Sequence, residues 1–330
     1  MSGEVWTYSE QKNDHLRDVS FELLAWGRKL ANIRKTLLCA VVFADNIAAS
    51  ELERLIQHGA DKIYLVQDPA FANFLVEPQA HVLQYLSQTY QPEIILSAAT
   101  TTGRTVMPYV AMLLHTGLTA DCTGLEIEAE TGNLLQIRPA IGGNIMATIK
   151  TPDTRPQMST VRPKSIVILE ADPARQGEII SLTVPAETLK SRMRFEKAST
   201  DSHDHAVLEE ANIVISGGLG LKSPEALAIM DGLANALGAA IGSSRPPVDQ
   251  GWQPYVRQVG LSGRTISPAL NIACGISGAV QHLAGIQTAK NIIAINSDPE
   301  AAIFQVADFG IVGDAVQILP VLQKHIEEDL

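Results

Sequence analysis

Two hydrophobic rhythms alternate along the first third of the chain. Short apolar runs stand at Glu4–Tyr8, Leu37–Phe43, Lys62–Val66 and Glu93–Ser97, each of strand length. Between them apolar residues recur at helical spacing. Leu16, Val19, Leu23, Leu24 and Leu30 predict a helix over His15–Ala31, and similar patterns predict helices over Ile47–Gln57 and Thr102–His115. Leu37–Phe43 is continuously apolar rather than alternating, as a strand buried on both faces requires. The β-α-β-α succession therefore predicts a mostly parallel sheet with helices on both faces.

After about Thr119 the pattern shortens. Leu125–Glu128, Leu134–Arg138 and Asn144–Lys150 read as short strands, separated by Thr131-Gly132-Asn133 and Gly142-Gly143, which suit antiparallel hairpins. Ser165–Glu170 reads as one more strand. Lys190–Ala206 is charged, then polar, with little to bury, and reads as a linker. Beyond it the α/β rhythm returns. Asn212–Ser216, Ala239–Ile241, Leu270–Ala273, Asn291–Ile295 and Phe309–Val312 are strand candidates. Ser223-Pro224-Glu225 carries the signature of a helix start, with a capping hydroxyl, a proline at the first position and an acid in the first turn. Asp298-Pro299-Glu300 reads the same way, and Asp314 is placed to cap a last helix bearing Ile318, Leu319, Leu322 and Ile326 on one face. The expected fold class is α/β in two domains. Residues 1–189 form an N-terminal α/β domain with antiparallel hairpins, 190–206 the linker, and 207–330 a doubly wound parallel-sheet domain.

Composition narrows the function. At 330 residues, with 46% hydrophobic and 5% aromatic side chains, the chain suits two globular domains built on aliphatic cores. A formal net charge of −11 offers no basic face to replace counterions on phosphate, which argues against nucleic acid. Cys39, Cys122 and Cys274 are far apart, with no CxxC pair, so neither a disulfide framework nor a zinc site is expected. The first residues lack a signal-peptide pattern, and no apolar run approaches the roughly 20 residues that span a bilayer. A cytoplasmic protein that does not insert into membranes is expected.

The candidate chemistry lies in four loops of the second half. Gly217-Gly218-Leu219-Gly220 joins a strand to a capped helix, where backbone amides approach phosphates in dinucleotide folds. The fingerprint is incomplete, because Ser223 stands where its third small residue belongs. Cys274-Gly275-Ile276-Ser277-Gly278-Ala279-Val280-Gln281-His282 follows an apolar strand, and Ser277 reads as the N-cap of a helix opening toward a pyrophosphate. Arg245 stands between Gly242-Ser243-Ser244 and two prolines that stiffen its backbone, a setting that favours meeting an anion. Val259-Gly260-Leu261-Ser262-Gly263-Arg264 places a hydroxyl between glycines and by itself says only that a loop is present.

These loops, together with Ala294-Ile295-Asn296-Ser297-Asp298-Pro299-Glu300-Ala301 and Ile303–Val312, occur in an order and spacing that resembles the FAD domain of electron transfer flavoprotein alpha subunits, over about residues 210–320. Thr119-Ala120-Asp121-Cys122 and Gly142–Ile149 extend a weaker resemblance into the first half. The resemblance implies FAD as cofactor, a heterodimer with a beta subunit, and electron transfer from a donating dehydrogenase to an acceptor oxidoreductase. It fits either a simple carrier, with AMP on the partner, or a flavin-based bifurcating complex with a second FAD there. It assigns Ser277, Gly278, Ala279, Val280, Gln281 and His282 to the segment that wraps the pyrophosphate and reaches the flavin, with His282 donating on the flavin O2 side. It assigns Arg245 to the flavin face with Ser244 beside it, and Ser262 to the neighbourhood of flavin N5 within the segment Val259, Gly260, Leu261, Ser262. Asn296 and Asp314 fall at positions that bind the ribose and AMP part, and Ala315, next to Asp314, counts among the cofactor-binding positions.

Three positions depart from the family pattern. Leu219 replaces a usual Arg, Leu261-Ser262 replaces Gln-Thr, and Ala315 replaces a frequent Leu. A one-electron-reduced flavin can carry negative charge, which a nearby Arg and an imidazole donor would stabilise while tuning a chemistry that belongs to the cofactor. Two other classes stay open on the residues alone. One is a self-contained flavin- or NAD-dependent dehydrogenase, disfavoured by the lack of an obvious acid-base pair. The other is a nucleotide-binding regulatory module without redox activity.

Overall fold

The structure is a computed structural model that describes residues 3–140, 145–197, 208–209 and 211–329, except for the side chain of Asp329. The chain divides into two compact units, Met1–Ser199 and Thr200–Leu330.

The first unit opens with β1 (Val5–Tyr8), the short pair β2 (Gln11–Lys12) and β3 (His15–Leu16), and α1 (Asp18–Arg34). Then follow β4 (Leu38–Ala44), α2 (Ala49–Gln57), β5 (Lys62–Gln67), α3 (Val76–Tyr90), β6 (Ile94–Ala98) and α4 (Thr101–Leu113). The last strands are β7 (Leu118–Cys122), β8 (Gly124–Ile127), β9 (Leu134–Pro139), β10 (Met146–Ile149), β11 (Gln157–Val161) and β12 (Glu178–Ser181). Seven strands form a parallel sheet in the order β12-β5-β4-β1-β6-β11-β7, and β10-β9-β8 form the antiparallel sheet expected of the hairpins. The continuous apolar run of β4 is divided by the pleat. Leu38, Ala40, Val42 and Ala44 enter one core, and Cys39, Val41 and Phe43 the other. Helix α1 covers the first core with Leu23, Leu24 and Leu30, and α3 and α4 cover the second with Leu83, Leu86, Val106 and Val110.

Two local expectations need correction. The first helix starts at Asp18, not His15, because Asn13 and Asp14 take positive φ values of 52° and 62° and fold Gln11–Leu16 into a tight hairpin. Ser165–Glu170 is not a strand. Its alternation has another cause: Ile166 and Ile168 pack on the first core while Val167 faces solvent. The Gly142-Gly143 turn, and residues 198–206 of the expected linker, lie outside the described residues. Lys190–Lys197 belongs to the first unit, where the Glu77 carboxylate accepts from the Arg192 amide at 2.6 Å and the Ser191 hydroxyl at 3.0 Å.

The second unit contains β13 (Ile213–Gly217), α5 (Pro224–Leu237), β14 (Ala240–Ser243), α6 (Arg245–Asp249), β15 (Leu270–Cys274), α7 (Val280–Ile286), β16 (Asn291–Asn296), β17 (Phe309–Val312) and α8 (Ala315–Asp329). Its five strands are all parallel in the order β14-β13-β15-β16-β17. Ser223 caps α5, its hydroxyl accepting from the Ala226 amide at 3.2 Å, and Gly238 closes that helix at φ 61°. Asp314 caps α8 through the Val316 amide at 3.0 Å. Helices α5 and α8 bury Leu227, Met230 and Leu319 against Ile215, Ile272 and Ile295 of the sheet. The helix expected at Asp298-Pro299-Glu300 is instead a turn, in which the Asp298 carboxylate binds the Glu300 amide, followed by a 3-10 helix over Ala302–Gln305.

Candidate functional site

The chain leaves β13 for β14 on one side and places β15 on the other, so the winding reverses between β13 and β15. Loops diverge at such a point and leave a crevice beyond the carboxyl ends of the strands. A cavity of about 780 Å³ lies there, walled by the loops after β13, β14, β15 and β16 and by the segment 258–262.

Glycines set its walls. Gly218 and Gly220 donate their amides to the carbonyls of Cys274 and Gly275, each at 2.9 Å, and a Cβ on Gly218 would lie 2.2 Å from the Gly275 oxygen. The two loops are thus in direct backbone contact. This corrects the expectation of a phosphate cradle at the first glycine cluster, because the amides of Gly218 and Gly220 are committed to the neighbouring loop. The second cluster differs from expectation too. Gly278 has φ +87° and turns the chain before the helix begins, so α7 starts at Val280 with Ala279 at its cap, and Ser277 caps nothing. The Ser277 carbonyl accepts from the Ile303 amide at 3.1 Å.

The segment 258–264 docks on α7. The Leu261 amide donates to the Gln281 carbonyl at 2.7 Å, and Gly260, at φ +144°, leaves no room for a side chain against that carbonyl. The His282 ring is buried, and its Nδ1 lies 3.0 Å from the Val259 carbonyl. A carbonyl only accepts, so this bond assigns a proton to Nδ1. Among the described residues the opposite nitrogen, Nε2, is buried without a hydrogen-bond partner. Burial pushes the His282 pKa below its ordinary value, against the opposing pull of the Val259 bond, so the ring is neutral at pH 7.

Arg245 opens α6, with its side chain 64% exposed and Nε bonded to Asp249 Oδ2 at 3.0 Å. The Ser262 hydroxyl accepts from the Gln258 amide nitrogen at 3.1 Å. Asn296 bridges two loops, donating to the Ile276 carbonyl at 2.9 Å and accepting from the Asp298 amide at 3.0 Å.

Ser244, Arg245, Val259, Gly260, Leu261, Ser262, Ser277, Ala279, Gln281, His282 and Asn296 line one cavity. Gly278, Val280, Asp314 and Ala315 are outside its wall: Gly278 shapes the turn, Val280 is exposed at the start of α7, and Asp314 and Ala315 form the cap and buried first residue of α8. Residues not assigned to the site from sequence also line it, among them Asp249 and, within segments that carry the family resemblance, Gln258, Asp298 and Glu300. Gln258 opens the segment Gln258-Val259-Gly260-Leu261-Ser262-Gly263 that carries part of the family resemblance, but the resemblance assigned it no role. Three of these lining residues, Asp249, Asp298 and Glu300, are acidic.

Comparison with known proteins agrees with this geometry. The Electron transfer flavoprotein domain family matches residues 5–187, and the Electron transfer flavoprotein FAD-binding domain family matches residues 207–287. The chain is 44% identical to an electron transfer flavoprotein subunit alpha of Thermoanaerobacterium thermosaccharolyticum, covering 98% of each chain. It is 40% identical to one from Megasphaera elsdenii, covering 98% of this chain and 96% of the relative. It is 39% identical to the LctC subunit of a lactate dehydrogenase (NAD(+),ferredoxin) of Acetobacterium woodii, covering 98% and 77%. The residues present fit FAD. The cavity lies within the range of about 300–1,000 Å³ typical of cofactor sites. An apolar wall surrounds a few polar groups, including a buried imidazole nitrogen with no partner among the described residues.

Proposed function

The chain belongs to the family of electron transfer flavoprotein alpha subunits, and on that premise we propose that it works as one half of a heterodimer with a beta subunit, passing electrons from a dehydrogenase to an acceptor oxidoreductase in the cytoplasm. The observation that carries the reading is His282, a buried imidazole on the wall of the cavity, fixed at Nδ1 and with no partner for Nε2 among the described residues. Bound FAD would supply the electron-accepting chemistry. His282 would face the flavin through Nε2, Arg245 would set a cation against the ring, and Ser262 would offer its hydroxyl to a ring nitrogen. Ser244, Val259, Gly260 and Leu261 would pack beside them, while Ser277 to Gln281 would wrap the pyrophosphate. Asn296, Asp314 and Ala315 would meet the ribose and AMP part. Three buried, unpaired cysteines suit a reducing compartment.

Co-expression with the beta subunit tests this reading. We expect a yellow complex holding FAD, and Arg245→Ala lowers the first one-electron potential. A charge-assisted contact is worth roughly 1.5–3 kcal/mol, equivalent to about 60–130 mV for one electron. A complex free of flavin, or a potential unmoved by the substitution, overturns it. Likeness to the subunit of an NAD(+),ferredoxin enzyme favours a second reading, in which the complex splits electron pairs between two acceptors. Two FAD per heterodimer support that version, and one FAD with AMP supports the simple carrier.

A further inference from the structure

The Ser262 side chain is held from behind by a residue with no assigned role. Gln258 is 3% exposed and its main chain is fixed on three sides. Its amide donates to the Tyr255 carbonyl at 2.9 Å, its carbonyl accepts from the Arg264 amide at 2.7 Å, and it pairs in register with Ser243 at the end of β14. The side-chain amide therefore arrives at the cavity wall in a set direction, where Nε2 donates to Ser262 Oγ at 3.1 Å. Leu261, the residue before Ser262, brings no polar side chain. The Ser262 carbonyl is separately anchored by the Tyr255 hydroxyl at 2.9 Å, which holds the backbone beneath the hydroxyl.

A serine hydroxyl has one hydrogen to give and two lone pairs that accept. Gln258 occupies a lone pair, so the hydrogen of Ser262 is turned away from Gln258. We propose that Gln258 is a positioning residue, which orients the Ser262 hydroxyl hydrogen into the cavity as a donor to an acceptor atom of the bound flavin. This rests on the flavin reading above and deepens it. A donor aimed at an atom that gains negative charge on reduction stabilises the reduced form and raises the potential, and a preset direction spares the reorientation that a freely rotating hydroxyl would need.

The test is spectroelectrochemical titration of the FAD-loaded heterodimer, with flavin content and melting midpoint measured on every variant. Ser262→Ala is expected to weaken one-electron reduction about tenfold, a fall of about 59 mV. Gln258→Leu is expected to produce most of that fall, and no further fall when combined with Ser262→Ala. Gln258→Glu puts a carboxylate where the amide was, draws the Ser262 hydrogen toward itself, and is expected to lower the potential at least as far as Gln258→Leu. Should Gln258→Leu disturb flavin loading, Gln258→Glu still decides the matter. The proposal is overturned if Ser262→Ala shifts the equilibrium while both Gln258 variants stay within about twofold of the parent, roughly 18 mV. It is overturned equally if Ser262→Ala has no effect, or if Gln258→Glu raises the potential. A parent complex that carries no flavin instead refutes the cofactor reading, and this proposal falls with it.

Discussion

At the scale of single residues, His282 ties cavity chemistry to pH. Its Nδ1 proton is committed to the Val259 carbonyl, so Nε2 is a bare lone pair in the neutral ring and a donor only in the imidazolium. Burial keeps the ring neutral in the structure as it stands. Negative charge arriving beside Nε2 acts in the opposite direction and favours the imidazolium. Reduction should then draw a proton onto Nε2 at any pH between the lowered pKa and the raised one. Over that window the one-electron potential falls as pH rises, by up to about 59 mV per pH unit. Outside the window the dependence vanishes. His282→Gln, whose amide donates without titrating, is expected to flatten the slope while retaining flavin. A parallel slope in parent and variant would place the proton elsewhere. None of this was visible in the sequence, where His282 could be put beside a phosphate-binding turn but its tautomer could not be assigned, because the Val259 carbonyl that fixes it lies 23 residues away.

At the scale of elements, Glu22 shows how one helix is fastened to a segment far along the chain. Its carboxylate, on the buried face of α1, accepts from the Lys164 amide at 2.5 Å. Burial raises its pKa to about 7, and the Lys164 contact opposes that rise only in part. The folded form thus holds the proton more tightly than the unfolded chain, whose value is near 4.5. The stabilisation is complete below that value and is lost as pH climbs through about 7. Glu22→Gln keeps an acceptor for Lys164 and removes the charge, so it is expected to stabilise the first unit at pH 8 by up to about 3 kcal/mol, at about 1.36 kcal/mol per pKa unit, and to leave stability at pH 4 nearly unchanged. Denaturant melts at the two pH values check this, and equal effects at both would refute it. The same unit shows what periodicity conveys and what it hides. Strands β1, β4, β5 and β6 were legible because each is an apolar run. Strand β11, second from the edge of the same sheet, was not, because it reads Gln-Met-Ser-Thr-Val, and the buried Gln157, Ser159 and Thr160 resemble a loop. Their polarity is partly met inside, where Gln157 accepts from the Leu134 amide and Ser159 donates to Gln136. Helix α3 was missed because Glu77, Gln79 and Ser87 are buried along with its leucines, which blurs the apolar stripe. In the second unit every strand was legible, and so was the edge where the cavity lies. The glycine loops misled over which backbone groups face the cavity and over where α7 is capped, matters decided by contact between loops and by the turn at Gly278.

At the scale of the whole molecule, apolar surface is left uncovered in both units. In the first, Ile145, Met146 and Ile149 are exposed on and beside β10, a strand whose outer side pairs with no other described strand. In the second, the edge strand β17 exposes Phe309, Ile311 and Val312 together. Contiguous apolar side chains on an open strand edge mark surfaces that another chain covers or that aggregate. The proposed beta subunit supplies such a chain, and interfaces of this obligate kind are large and apolar. The chain expressed alone should therefore bind a hydrophobic dye and self-associate, and adding the beta subunit should abolish both. A partner present at a hundred times its dissociation constant adds about 2.7 kcal/mol of stability. For units of this size, 1 kcal/mol moves a melting midpoint by roughly 2–4 °C, so the midpoint should rise by about 5–10 °C and depend on partner concentration. Replacing Met146 and Ile149 with Thr tests the β10 surface directly, because Thr suits a strand yet removes most of the apolar area. That variant should be less sticky alone and weaker in partner binding. If it instead assembles as tightly as the parent, β10 is not part of the interface. If the parent chain is monomeric, binds no dye and melts at the same temperature with or without the beta subunit, the obligate pairing itself is refuted.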